Sequence, residues 1–106
     1  MSLPGVRRET AYTDRFDAWP EWERGNAYAV EACESNHGQH PATYDLSAPN
    51  GGVMQINKAV WAEWFLENYG WDWATIVLDD VMNHKAARII WDRNGWGAWA
   101  CAYVLY

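Results

Sequence analysis

Cysteine occurs twice in these 106 residues, phenylalanine twice, and lysine plus arginine eight times against fourteen aspartates and glutamates. Each shortage excludes something. Two cysteines make one possible pair, so the chain is not a disulfide-dense scaffold that does without a core. The basic residues are scattered singly under a net charge of −6, and form no stripe able to neutralise phosphates. That argues against a nucleic-acid partner. An acidic domain can still act on an anionic polymer where its cleft is locally neutral. No apolar run approaches the roughly 20 residues of a membrane span. There is no internal repeat and no low-complexity tract, which excludes solenoids and tails. In MSLPGVRRET two arginines precede no apolar segment, so no secretory signal is read there, and export would use a removed signal or another route.

What the chain has in excess is tryptophan, with nine residues. A single domain of this length does not need so many for its core. Some rings are therefore expected in the core and others along a groove, where a flat ring offers a large contact face and one N–H donor.

Residues 1–18 are polar and aperiodic and read as an N-terminal arm, ordered only where it packs on the body; residues 19–106 read as the domain. Pro20 opens a helix, PEWERGNAYAVEACES, with Trp22, Tyr28, Ala29, Ala32 and Cys33 as its expected face and Glu21 and Glu23 in its first turn. From Asn36 to Asn50 the chain is rich in Gly, Pro, His, Ser and Asn. Pro49-Asn50-Gly51-Gly52 then signals a tight turn before Val53-Met54-Gln55-Ile56, expected as a strand of a small β-lobe. Asn57 caps a helix through KAVWAEWFLENY with Trp61, Trp64, Phe65 and Asn68 on one face, stopped by Gly70. After a short apolar connector, Asp79 or Asp80 caps a last long helix with Met82, Ala86, Ile89 and Ile90 as its stripe, ended by Gly95. Trp96 or Trp99 anchors the tail. The fold class is α+β, predominantly helical, with a small β-hairpin lobe after the first helix.

Glu34 sits at the end of the first helix, facing that Gly/Pro/Asn loop. A general acid for a glycosidic oxygen must hold its proton near neutrality, so its pKa must rise above about 4.3 through burial among apolar neighbours. Met54 and nearby tryptophans are candidates for that burial.

Three segments now carry a resemblance. Cys33-Glu34-Ser35, then Gly51-Gly52-Val53-Met54-Gln55-Ile56, then Gly95-Trp96-Gly97-Ala98-Trp99-Ala100-Cys101 resemble, in that order, motifs of lysozyme-like peptidoglycan glycosidases. The closest pattern is that of resuscitation-promoting factors, with soluble lytic transglycosylase domains behind them, and the resemblance runs over residues 20–101. Asn36 stands where those families have Gly, and Val53 where they have Leu.

The resemblance implies a lysozyme-like fold and cleavage of the β-1,4 bond between N-acetylmuramic acid and N-acetylglucosamine, with Glu34 as catalytic acid. It implies that Ser35 supports the Glu34 loop, that Gly52 lets backbone approach the substrate, and that Gln55, with Met54 and Trp96, lines the cleft. It also implies a Cys33–Cys101 disulfide and so an oxidising, secreted or cell-wall-facing setting, a phage lysin or virion included; two unrelated buried thiols are the plain alternative. A Cys₂His₂ zinc set of Cys33, His37, His40 and Cys101 competes, but the paired ligand spacings of structural zinc are absent. No metal or cofactor is expected, with His37 and His40 solvated on the loop and His84 on a helix surface. Asp45 is the candidate second carboxylate and Asp72 a more distant one; the plain reading of Asp45 is a turn former. Hydrolysis and 1,6-anhydro-forming transglycosylation both stay open. So does a non-catalytic, Trp-rich glycan-binding or interaction module. The expected partner is the peptidoglycan strand, bound by a monomer.

Overall fold

The structure, a computed structural model, describes residues 15–106. Of the arm expected over 1–18, residues 1–14 lie outside the described residues; Arg15 and Phe16 are buried in the body. After a 3-10 turn at Glu21–Glu23, helix α1 runs over Arg24–Ser35. Asn36 ends it in the left-handed region at φ 51°, its N–H returning to Ala32 O. Asparagine is one of the few residues with a side chain that tolerates that conformation.

The buried face of α1 differs from the expected one. Trp22 is 80% exposed and Tyr28 48%, whereas Ala27, Val30, Glu31 and Ser35 are buried. The true stripe passes through a glutamate, and a charged residue breaks the apolar period unless its partners are known.

The chain then winds through turns to a two-stranded antiparallel hairpin. β1 (Asn50–Gly51) pairs with β2 (Ile56–Asn57), with Asn50 opposite Asn57 and Gly51 opposite Ile56. The strand expected over Val53–Ile56 is thus mostly turn, and Val53 and Met54 are buried within it. Gly52 at φ 78° and Gln55 at φ 51° bend the backbone there. The bend is clamped by Asn83, which is fully buried: its Oδ1 accepts from Met54 N at 2.8 Å, and its Nδ2 donates to Gly51 O and Ile76 O.

Helix α2 (Lys58–Tyr69) begins under Asn57, whose side chain accepts from Val60 N, and ends at Gly70 in the left-handed conformation. Phe65 is buried, Trp61 and Trp64 half-buried and Asn68 exposed. The expected connector contains a short helix, α3 (Trp73–Leu78), capped by Asp72. Asp79 caps α4 (Asp80–Asn94), whose buried residues are Asn83, His84, Ala86, Ala87 and Ile90. His84, expected on a surface, is therefore in the core. Two 3-10 helices, Trp96–Ala98 and Ala100–Leu105, form the tail.

Trp19 is the centre of the aromatic core: it stacks on Trp96 with ring centroids 4.9 Å apart and meets Trp91 and Trp99 edge-on. Trp96 and Trp99 are buried, so they seat the tail on the body. Cys33 and Cys101 are joined in a disulfide, with Cα atoms 5.9 Å apart, tying the last turn of α1 to the last 3-10 helix. The fold is α+β and predominantly helical. Among the described residues no helix is long and apolar enough to cross a membrane.

Gly52 owes its identity to Asn83: a Cβ at Gly52 would stand 1.9 Å from Asn83 Nδ2, at a backbone conformation side chains avoid. Gly52→Ala is expected to destabilise the domain by more than the roughly 1–3 kcal/mol of simple overpacking. Urea unfolding measures this, and a midpoint equal to the parent's would refute the clamp.

Candidate functional site

Glu34 opens into a pocket of about 250 Å³ between the hairpin, α2 and the tail. Asn50 and Asn57, paired across the hairpin, form one wall with Gln55; Trp61 of α2 and Trp99 of the tail supply rings. Trp99 and Gln55 are each held by a hydrogen bond to backbone. Trp99 Nε1 donates to Met54 O at 2.7 Å, and Gln55 Nε2 donates to Gly52 O at 3.0 Å. Glu34 itself accepts from Cys101 N at 3.1 Å, so the residue bonded to its neighbour Cys33 also touches its carboxylate. Burial pushes the Glu34 carboxyl above its ordinary value, and the Cys101 N–H offsets this only partly.

The other expected residues fall elsewhere. Ser35 is buried; its Oγ donates to Val53 O at 2.7 Å and accepts from Gly38 N, so it supports the loop from behind rather than facing the pocket. Gly52 approaches Asn83, not an open cleft, and Met54 is wholly buried behind the pocket, its carbonyl accepting from the Trp99 ring. Trp96 is stacked in the core, with its Nε1 toward the Glu23 carboxylate. Asp45 is exposed, and the N–H and hydroxyl of Ser47 bond its Oδ1 and lower its pKa, as in a turn former. It does not line the Glu34 pocket, and Asp72 is spent on capping α3. The structure thus brings Glu34 and Gln55 together and adds Asn50, Asn57, Trp61 and Trp99. The sequence pattern had marked these four only as turn, cap, helix face and tail anchor.

A second constellation had no signal in the sequence. Glu31, one turn before Glu34 and fully buried, accepts from Arg15 Nε at 2.9 Å and a second Arg15 nitrogen at 2.7 Å, from His37 Nδ1 at 2.6 Å and from His84 Nε2 at 2.7 Å. Trp19 Nε1, which can only donate, bonds His84 Nδ1 at 2.9 Å. His84 Nδ1 is therefore the acceptor, and His84 is a neutral imidazole giving its Nε2–H to the carboxylate. Burial lowers its pKa, against the pull of Glu31, in keeping with that tautomer. For Glu31 burial alone would raise the pKa, but the bonds from His84, Arg15 and His37 hold it down to about 2. His37 thus belongs to this network rather than to open solvent. The competing zinc set loses both thiolates to the disulfide, and among the described residues no cluster of three or more His, Cys, Asp or Glu is placed to hold a metal.

Comparison of the chain with protein-family models, with curated proteins and with solved structures finds no match in any of the three.

The lowered pKa of Glu31 has a definite sign in stability. A carboxylate whose folded pKa is about 2 against an ordinary 4.5 stabilises the fold fully above 4.5 and loses that contribution as pH falls toward 2. The parent should therefore exceed Glu31→Gln most at neutral pH, with the gap in urea midpoint closing between pH 4.5 and 2. A gap independent of pH would mean that the carboxylate charge plays no part.

Proposed function

We propose that the domain is a lysozyme-like peptidoglycan glycosidase that cleaves the β-1,4 bond between N-acetylmuramic acid and N-acetylglucosamine, with Glu34 as general acid. The observation that carries this is the desolvated Glu34 carboxyl, its pKa raised, opening into a pocket walled by amides and tryptophans. A protonated carboxyl can donate to a leaving glycosidic oxygen at mild pH. The amides of Asn50, Gln55 and Asn57 suit hydroxyl and acetamido groups, and the half-buried Trp61 ring suits the face of a pyranose, while buried Trp99 closes the wall. The order of elements, a helix ending at Glu34, a hairpin and further helices, agrees with the lysozyme-like fold that the three segments suggested.

Among the described residues that line this pocket, Glu34 is the one carboxylate. Hydrolases of the usual kinds need a second, as nucleophile or as base for water. The pocket therefore favours the transglycosylase route. Glu34 protonates the leaving oxygen as the C1–O bond breaks, with the sugar's own acetamido carbonyl supporting C1. The C6 hydroxyl of that sugar then attacks C1 and returns its proton to Glu34, closing a 1,6-anhydro ring. The disulfide suits an oxidising compartment outside the cytoplasm, where this polymer lies.

Clearing of a peptidoglycan suspension, followed by mass spectrometry of the products, tests the reading. Anhydro products are expected from the parent, and Glu34→Gln should lower turnover by about 10²–10⁴-fold with binding retained. Activity should fall on the alkaline side as the raised Glu34 pKa is passed. Parent-like lysis by Glu34→Gln would exclude its role as acid, because an amide has no such proton to give; binding without lysis by the parent would make the domain a glycan-binding module.

A further inference from the structure

A second hollow, of about 470 Å³, adjoins the Glu34 pocket across Asn57, which lines both. Its surface is small and apolar: Ala48 and Pro49 come from the loop before β1, Ala59 and Ala62 from the first turns of α2. Lys58 and Glu63 border it with opposite charges. Lys58 Nζ donates one proton to Leu46 O at 2.9 Å, which steadies the ammonium and leaves two donors for a ligand. Asp45, held by Ser47, is close enough for Lys58 to lower its pKa further.

This chemistry differs from that of the pocket beside it. Among the described residues lining the hollow there is no aromatic ring, whereas Trp61 and Trp99 line the first. A sugar ring binds best against a flat aromatic face. Methyl-sized apolar surface bordered by one ammonium and one carboxylate is complementary to a short peptide that carries alanine side chains and both charges.

We propose that the hollow receives the stem peptide borne by the muramic acid unit, with Lys58 meeting a peptide carboxylate and Glu63 a peptide ammonium. This rests on the peptidoglycan reading above and narrows its substrate to peptide-bearing strands. The peptide leaves the lactyl ether of the sugar in the Glu34 pocket and passes Asn57 into the hollow. Lys58, Ala59 and Glu63 then set specificity without touching the reacting atoms.

Recognition is tested apart from turnover, with the Glu34→Gln protein as a binding probe. Its affinity is measured for glycan strands that keep their peptides, for the same strands stripped by an N-acetylmuramoyl-alanine amidase, and for the free stem tetrapeptide. Peptide-bearing strands should bind at least ~10-fold more tightly, and Lys58→Met or Ala59→Trp should each erase that ratio without changing affinity for stripped strands. Both positions lie at the surface of α2, and an unchanged thermal unfolding curve confirms that each variant folds. Equal affinity for the two kinds of strand overturns the stem-peptide proposal alone. So does an equal loss on both in Lys58→Met, which would make the hollow one more sugar subsite. Binding to neither strand refutes the glycosidase reading as well.

Discussion

The arrangement of this domain turns on one buried charge. Glu31 is a fully buried carboxylate in a small core, a placement that is unfavourable by several kcal/mol unless its oxygens are satisfied. They are satisfied from three directions: Arg15 from the segment before the domain's first turn, His37 from the loop after α1, and His84 from the middle of α4. Those partners lie 16, 6 and 53 residues away, so the carboxylate can be buried only when distant parts of the chain have come together. It also fixes the rotation of α1. With Glu31 facing inward, Glu34 lies three residues on, along the same flank of the helix, where it meets the cleft rather than solvent.

Two glutamates on one helix thus titrate in opposite directions because their surroundings differ in kind. Both are desolvated. Glu31 faces a guanidinium and two imidazoles, and remains a carboxylate well into acid. Among the described residues, Glu34 receives one backbone N–H and otherwise faces pocket side chains without charge, so desolvation dominates. Separation of this kind is what assigns a structural anion to one residue and an acid to the other. The difference also explains why the same helix can hold both: the Arg15 guanidinium lies at Glu31, and among the described residues that line the Glu34 pocket there is no Lys or Arg to lower Glu34.

Much of the helix map was legible in the sequence because capping chemistry is local. Asn57, Asp79, Gly70 and Gly95 act where their residue types said they would. Glu34 and Gln55 were legible as pocket residues through the order of three short segments. What stayed hidden was non-local. Glu31 had no place on the expected face of α1, since its partners Arg15 and His84 are far from it in sequence, and this concealed the true buried face. His84 looked exposed for the same reason. Gly52 was singled out for backbone approach to substrate, whereas it makes room for Asn83; Ser35, expected to support the loop after Glu34, bonds Val53 O and Gly38 N there. A glycine signals close approach without saying to what.

The disulfide acts at this same level of detail. Cys101 supplies both a sulfur to Cys33 and a backbone N–H to Glu34, so one residue fixes the helix end and orients the acid. A freer tail would let water reach the carboxyl, restoring solvation and drawing its pKa back toward the ordinary range. Further amide donors in its place would stabilise the carboxylate and do the same. One amide held by a covalent tie lies between these extremes: it orients the carboxyl without ionising it. Trp99, two residues earlier and bonded to Met54 O, closes the other side of the pocket with the same short segment. The tail therefore carries the pocket's wall, its orienting hydrogen bond and its covalent restraint within the stretch from Trp99 to Cys101.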